Sequence, residues 1–285
     1  MKNHKFSLIL CTLGRTDLVG NFITSISSQT YQNLELIIVD QNEDERIHEL
    51  LKRMEPDFPV LHLSCEKGLS KSRNEGLKYV SGEIVAFPDD DCLYPENLLR
   101  RINDFFDENN LDVLAIKMKN SVPTGRKVQE NTKSQFVHKY NVIGLMASIS
   151  SFYKKEVIDQ VGAFDERLGL GANTIFQGCE DYDYPIRALK EGFIIYYTNT
   201  IEVLHPWDYE MVDKNKDLKG RSYNGGAAEM FLLNKHNYSL FYRLKRIFRR
   251  IMVSLYYMLK RNRYKAGLSI AILRGMIAHF RYRPG

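Results

Sequence analysis

No Cys-x-x-Cys pair occurs in these 285 residues, and the four cysteines, Cys11, Cys65, Cys92 and Cys179, are scattered. That excludes a disulfide framework and a cysteine zinc site, and predicts free thiols in a reducing compartment. Long apolar runs are missing too: Ile251–Leu259, between charges, is nine residues, against the roughly 18 of a membrane-spanning helix. After the first apolar strand the chain reads Cys11, Thr12, Leu13, Gly14, Arg15, Thr16. It lacks the glycines of a P-loop or a dinucleotide fingerprint, so two large nucleotide-binding classes drop out. Acidic residues are absent from Met230 to Gly285, where 13 Lys and Arg stand. The first 229 residues therefore hold 27 of the 40 basic side chains and all 35 acidic ones, a net charge of −8. An acidic body with a basic tail argues for a separate docking surface and against nucleic acid as partner. The short polar start, Met1–Lys5, leaves no room for a signal peptide and predicts a cytoplasmic protein.

What is present is an alternation of strand-like and helix-like segments about every 25 to 30 residues, the rhythm of βαβ units. Phe6–Cys11, Leu34–Asp40, Val60–Leu63, Ile84–Phe87 and Val113–Met118 read as strands, and Ile9–Cys11 and Leu36–Val39 are apolar without alternation. Such strands are covered on both faces, as in a parallel sheet. Between them Asp17–Ser27, Glu43–Met54, Ser70–Val80 and Pro95–Glu108 have helical spacing. The expected fold is an open, mostly parallel α/β sheet with helices on both faces. Asn120–Asn141 reads as a long polar loop, Val142–Tyr153 as a return of apolar structure, and Phe193–Thr198 and Ile201–His205 as closing segments. The domain reading is an α/β body over residues 1–215 and a basic helical appendage over 216–285.

The chemistry concentrates where the fourth strand runs into three aspartates, Asp89, Asp90 and Asp91. Crowded carboxylates repel one another unless a cation sits among them. Mg²⁺ or Mn²⁺ prefers such oxygen ligands, with substrate phosphates completing the shell. An acidic turn before the helix near Pro95 is the alternative reading. In open α/β sheets ligands bind beyond the carboxyl ends of the strands, where Asp40 and the triplet both fall. Asp40 suits a ribose hydroxyl or a base N–H, or serves as a turn residue. Lys71 and Arg73, near a helix start, suit diphosphate oxygens.

These ordered motifs carry a resemblance. The Thr12–Arg15 loop, Val39-Asp40, Ser72-Arg73-Asn74 with Gly76, Asp89–Asp91 followed by Pro95, and Glu180-Asp181 with Asp183 and Arg187 resemble the inverting family 2 glycosyltransferases of the GT-A (Rossmann-like) fold, over about Phe6 to Pro206. The resemblance implies transfer of one sugar from a nucleotide-sugar donor, a uridine nucleotide first, to a glycan or polyprenyl-linked acceptor in bacterial surface polysaccharide synthesis. It implies that Thr12, Leu13, Arg15, Asp40, Lys71, Arg73, Asp89 and Asp90 serve the donor. Asp89, Asp91 and His205 would hold Mn²⁺ or Mg²⁺, Asp181 would be the catalytic base, and Glu180, Asp183 and Trp207 would face the acceptor. The Gln-x-x-Arg-Trp motif of processive members is missing. A nucleotidyltransferase acting on sugar phosphates, or a non-catalytic transferase-like scaffold, are the alternatives.

The tail has a stripe of Leu240, Leu244, Ile247, Ile251, Leu255 and Met258, with Arg243, Arg246, Arg249 and Arg250 mostly away from it; Leu268, Ile272, Met276 and Phe280 suggest a second helix. Two readings fit: a helix lying on an anionic membrane, placing the protein peripherally on the inner face of the plasma membrane, or a helical pair packed on the body or on a second subunit.

Overall fold

The computed structural model describes residues 2–120, 132–206 and 217–282; Trp207 lies outside them. In chain order the elements are β1 (Phe6–Thr12), α1 (Asp17–Ser27), β2 (Leu34–Asp40), α2 (Arg46–Met54), β3 (Val60–Ser64), α3 (Leu69–Leu77), β4 (Ile84–Ala86), α4 (Leu98–Glu108), β5 (Val113–Asn120), β6 (Gln135–Phe136), α5 (Val142–Leu145), β7 (Ser151–Lys154), α6 (Lys155–Val161), α7 (Glu180–Lys190) and β8 (Ile195–His205). Three further helices follow, α8 (Leu218–Lys235), α9 (Leu240–Leu259) and α10 (Arg263–Ala278). Contacts divide the chain into two compact units. The first joins Met1–Lys67, Lys71–Phe164 and Tyr184–Val212; the second joins Gly68–Ser70, Asp165–Asp183 and Asp213–Gly285.

The first unit is built on an eight-stranded sheet of order β3-β2-β1-β4-β7-β5-β8-β6. β1 lies parallel to β2, from Phe6 opposite Leu34 to Thr12 opposite Asp40, and parallel to β4 on its other side. The apolar residues Ile9 and Leu10 of β1 and Leu36–Val39 of β2 follow one another without alternation because both faces of these strands are buried. On α1, Val19, Phe22, Ile23 and Ile26 are buried at three- and four-residue spacing, each contributing about 1.5–3 kcal/mol of apolar burial. α4 presents Leu98, Leu99, Ile102 and Phe106 in the same manner. The β1-to-β2 and β3-to-β4 connections run in opposite directions along the sheet, which makes the β1/β4 boundary a topological switch point, the place beyond whose strand carboxyl ends such sheets bind ligands.

Three expectations need adjustment. Phe193–Thr198 and Ile201–His205 are one strand, β8, whose register with β5 shifts between Ile116 and Lys117. The segment Val142–Tyr153 does not stay regular. Ser150 and Ser151 donate their hydroxyls to the Ala147 carbonyl, an alternative to helical bonding, and β7 then runs antiparallel between β4 and β5. Within the expected loop 120–141, Gln135 and Phe136 pair with Tyr197 and Tyr196 of β8.

In the second unit, α8 lies within the helical appendage expected over 216–285, although Gly220, Gly225 and Gly226 lower helix propensity. Asp217 caps it by accepting from the Gly220 N–H at 2.9 Å. The glycines have a packing reason: a Cβ on Gly226 would collide with the Ile272 backbone of α10, and one on Gly275 with the Tyr223 carbonyl oxygen of α8. The two helices touch backbone to backbone. Gly275→Ala is therefore expected to lower stability by about 2–3 kcal/mol through overpacking, measured by urea unfolding of the full chain. Full wild-type stability would show that the helices separate freely.

Candidate active site

In the first unit the site grows from two backbone bridges. Cys11, near the end of β1, bridges Asp89, and Leu93 bridges Leu204 of β8; Leu93 N–H donates to Leu204 O at 2.8 Å and Leu204 N–H returns a bond at 3.1 Å. The first bridge sets the aspartate triplet beside the β1 terminus, and the second brings His205 to it. His205 Nε2 lies 3.2 Å from Asp91 Oδ1. Asp89, Asp91 and His205 each offer one ligand atom, and these atoms lie within 4.8 Å of one another, a group able to hold a metal ion among the described residues.

Charge in this cluster is tightly balanced. Water still reaches 39% of the Asp89 side chain, yet surrounding protein raises its carboxyl above the ordinary range; Arg73 lowers it and Asp91 raises it further. Burial also pushes Asp91 upward, but His205 and Arg15 outweigh it and hold that carboxyl low. His205 is pulled down by burial and raised on balance by Asp91 and Asp89. Asp91 Oδ1 is buried and accepts no hydrogen bond of good geometry, which leaves a lone pair for a cation. Two carboxylates and an imidazole suit Mn²⁺ well, and Mg²⁺ less well because of the nitrogen.

The donor-side residues fall into two groups. Thr12 Oγ1 donates to Asp90 Oδ2 at 2.8 Å, and Arg15 Nη1 donates to Asp90 and, at 3.0 Å, to Asp91. Asp90, expected to meet the donor, is 5% exposed and instead ties the β1 loop to the triplet; burial raises its carboxyl despite Arg15 and Thr12. Leu13 is exposed on that loop. Asp40 is buried, accepts from the Asn42 backbone N–H and side-chain amide, and sits 3.1 Å from His62 Nε2. Lys71 pairs with the exposed Glu66. Arg73, expected on the diphosphate, is 2% exposed. Its guanidinium donates to Ser148 Oγ at 2.8 Å, lies 3.7 Å from Asp89, and packs over Phe87 and Phe164. A buried cation there faces the Asp89 carboxylate. His62, Asn42 and Ser148 were missed. His62 was visible only as a polar residue inside an apolar strand, and Ser148 carried no signal.

In the second unit, Cys179 takes a left-handed backbone conformation, φ 65°, which is uncommon outside glycine and costs on the order of 1 kcal/mol or more. Its carbonyl accepts from the Asp183 N–H at 2.9 Å and so opens α7. Glu180, Asp181 and Asp183 occupy the first turn, where the helix dipole favours carboxylates. Asp181 is half-buried, and its charge is the leading cause that raises the Tyr182 phenol. Glu180 is buried; Gly169, at φ 99°, has no room for a Cβ between Ser70 Oγ and the Glu180 carboxyl. The Gly169–Gly171 stretch thus knits to Leu69 and Ser70, with Leu69 N–H donating to Leu170 O at 2.8 Å and Ser70 Oγ to Leu168 O at 2.6 Å.

Asp183, expected on the acceptor side, is instead 1% exposed. It lies 2.8 Å from His236 Nε2 and 2.6 Å from Lys235 Nζ, and Lys235 also pairs with Asp165 at 2.7 Å. Asp165 is pushed up by burial but held well below the usual carboxylate range by Arg167 and Lys235. Arg187, two turns along α7, donates to the Val161 and Ala163 carbonyls. Asp183→Ala is expected to cost about 3–5 kcal/mol, because it leaves Lys235 and the buried His236 without that carboxylate. Denaturant unfolding measures it, and a loss below about 1 kcal/mol would mean that the network carries no stability.

The family model described as "Glycosyl transferase family 2" matches residues 7–162. The minor teichoic acid biosynthesis protein GgaB of Bacillus subtilis (strain 168) is 29% identical over 186 residues, which span 60% of this chain but 20% of GgaB. The UDP-Glc:alpha-D-GlcNAc-diphosphoundecaprenol beta-1,3-glucosyltransferase WfgD of Escherichia coli is 27% identical over 115 residues, 40% of this chain and 46% of WfgD. The chain thus spans well under two thirds of either relative's length. Among solved structures, the mannosyltransferase PcManGT from Pyrobaculum calidifontis, in complex with GDP-Man and Mn²⁺, superposes with a TM-score of 0.70 at 13% identity, covering 97% of this chain and 87% of that one. At that identity the likeness concerns the fold.

Proposed function

The chain belongs to glycosyl transferase family 2, and from that premise we propose a divalent-metal-dependent, inverting transferase that moves one sugar from a UDP-sugar to a hydroxyl of a lipid-linked glycan in bacterial surface polysaccharide synthesis. The single observation that carries this reading is the convergence of Asp89, Asp91 and His205 within 4.8 Å beside the carboxyl end of β1. These three residues would hold the metal, Mn²⁺ or Mg²⁺. When bound, it supplies Lewis-acid neutralisation of charge on the departing diphosphate.

The chain's own residues do the rest. Asp40 accepts from a ribose hydroxyl or base N–H, and the Thr12–Arg15 loop, tied down by Asp90, forms the wall beside the nucleotide. Asp181 takes the proton from the acceptor hydroxyl as that oxygen attacks the anomeric carbon, opposite the leaving nucleotide. One displacement inverts configuration. Glu180 orients the acceptor. The named substrates of WfgD support a uridine donor and a polyprenyl-linked acceptor, and the teichoic acid role in GgaB's name supports a surface polymer. Such an acceptor would hold the enzyme at the inner face of the plasma membrane.

A panel of nucleotide sugars, screened for protection against thermal unfolding with Mn²⁺, tests the donor. A UDP-sugar at 100 times its dissociation constant is expected to add about 2.7 kcal/mol of stability, and GDP-sugars none. Protection by GDP-sugars alone would overturn the uridine assignment. No metal-dependent protection by any sugar nucleotide would overturn the transferase reading.

A further inference from the structure

The helix α9 turns a wide apolar face to solvent. Phe241 is 78% exposed, Phe248 63% and Leu259 83%, with Leu244, Met252 and Leu255 also exposed between them. At 100° per residue these side chains share one face, and the exposed Lys245 and Arg249 flank it. The opposite side is half-buried, with Ser254 at its centre 4% exposed and donating to Ser269 of α10 at 2.9 Å. Two of the tail's arginines belong to the fold rather than to that flank. Arg246 pairs with Glu229 and Arg243 donates to Asn234, both on α8.

An outward apolar face of this width marks an interaction site. No helix among the described residues is long and apolar enough to cross a membrane, so the face meets its partner side-on. Charge selects the partner. From Met230 to Gly285 there is no Asp or Glu, so docking α9 against the same face of a second copy would bring Lys245 and Arg249 of both chains together with no carboxylate from that segment to offset them. An anionic lipid surface offers the complementary charge and an apolar layer beneath it. We propose that α9 lies in the plane of an anionic bilayer, inserting Phe241, Phe248 and Leu255, with Lys245 and Arg249 against the headgroups. The inference rests on the lipid-linked acceptor reading for its purpose, since surface confinement brings enzyme and acceptor together, and on α9 alone for its physics.

Flotation of the full chain with vesicles tests it. Binding to phosphatidylcholine vesicles carrying about one third phosphatidylglycerol is expected to be at least about tenfold tighter than to phosphatidylcholine alone, and to weaken as salt rises. The triple variant F241S/F248S/L255S and the charge variant K245E/R249E should each lose about tenfold or more while keeping the wild-type unfolding midpoint, because all five side chains are exposed. Equal vesicle binding by either variant overturns the proposal. So does a wild type that ignores vesicles, and in that case light scattering showing a dimer split by the triple variant would identify a second copy as the occupant. Transfer to a soluble acceptor reads the chemistry separately: vesicle binding that fails while transfer persists overturns the docking alone, and metal-dependent donor protection that fails while vesicle binding persists overturns the transferase reading alone.

Discussion

Asp181→Asn is expected to lower transfer about 10²- to 10⁴-fold, the contribution of a positioned general base, while metal-dependent protection by the donor stays at the wild-type level. The amide is isosteric with the carboxylate and keeps the first turn of α7, but it cannot accept the acceptor's proton. The structure supplies a control for local integrity. The first turn of α7 is held by the Asp183 N–H bond to Cys179 O and by the Asp183 ion pairs with Lys235 and His236, all of which the substitution leaves in place, so the variant's unfolding midpoint should stay at the wild-type value. An unchanged rate would exclude Asp181 as the base. A lost rate accompanied by a fallen unfolding midpoint would trace the effect to the fold instead.

Asp91→Ala is expected to reduce transfer by about 10²- to 10³-fold, because losing a metal ligand forfeits several kcal/mol of charge stabilisation in the transition state. Chelation of the wild type should have the same effect and Mn²⁺ should reverse it; in the variant Mn²⁺ should restore little. Calorimetric titration of Mn²⁺ into the chain reads the site without any turnover. Arg15 keeps Asp90 as a partner in this variant, so the β1 loop should stay in place and the unfolding midpoint should move little. Full activity in chelator, or undiminished Mn²⁺ binding by the variant, would refute the assignment.

The contrast between Asp91 and Asp90 illustrates what sequence conveys about a site. Adjacent and chemically identical, they differ in what the fold puts against them: His205 from the end of β8 for Asp91, the Thr12 hydroxyl from the end of β1 for Asp90, with Arg15 shared between the two. Arg73 carries the same lesson. Its place at a helix start suggested a phosphate ligand, but Phe87, Phe164 and Ser148 enclose it and turn its charge to Asp89. His62 and the Asp183–His236 pair were illegible for a related reason: their partners lie 22 and 53 residues away, and no local period records such a distance.

By itself the amino-acid sequence determined the β1 to β4 rhythm, the helices between them, the triplet at a strand's end, the acidic start of α7 and the polarity of the tail, because apolar periodicity, turn chemistry and charge runs are local properties. Only the tertiary structure decided the insertion of β7 between β4 and β5, the backbone contact of α8 with α10, the burial of Asp90, Arg73 and Asp183, and the exposure of α9's apolar face. Each of those depends on which surfaces meet after collapse. Burial and pairing energies between distant segments choose among faces that look alike along the chain.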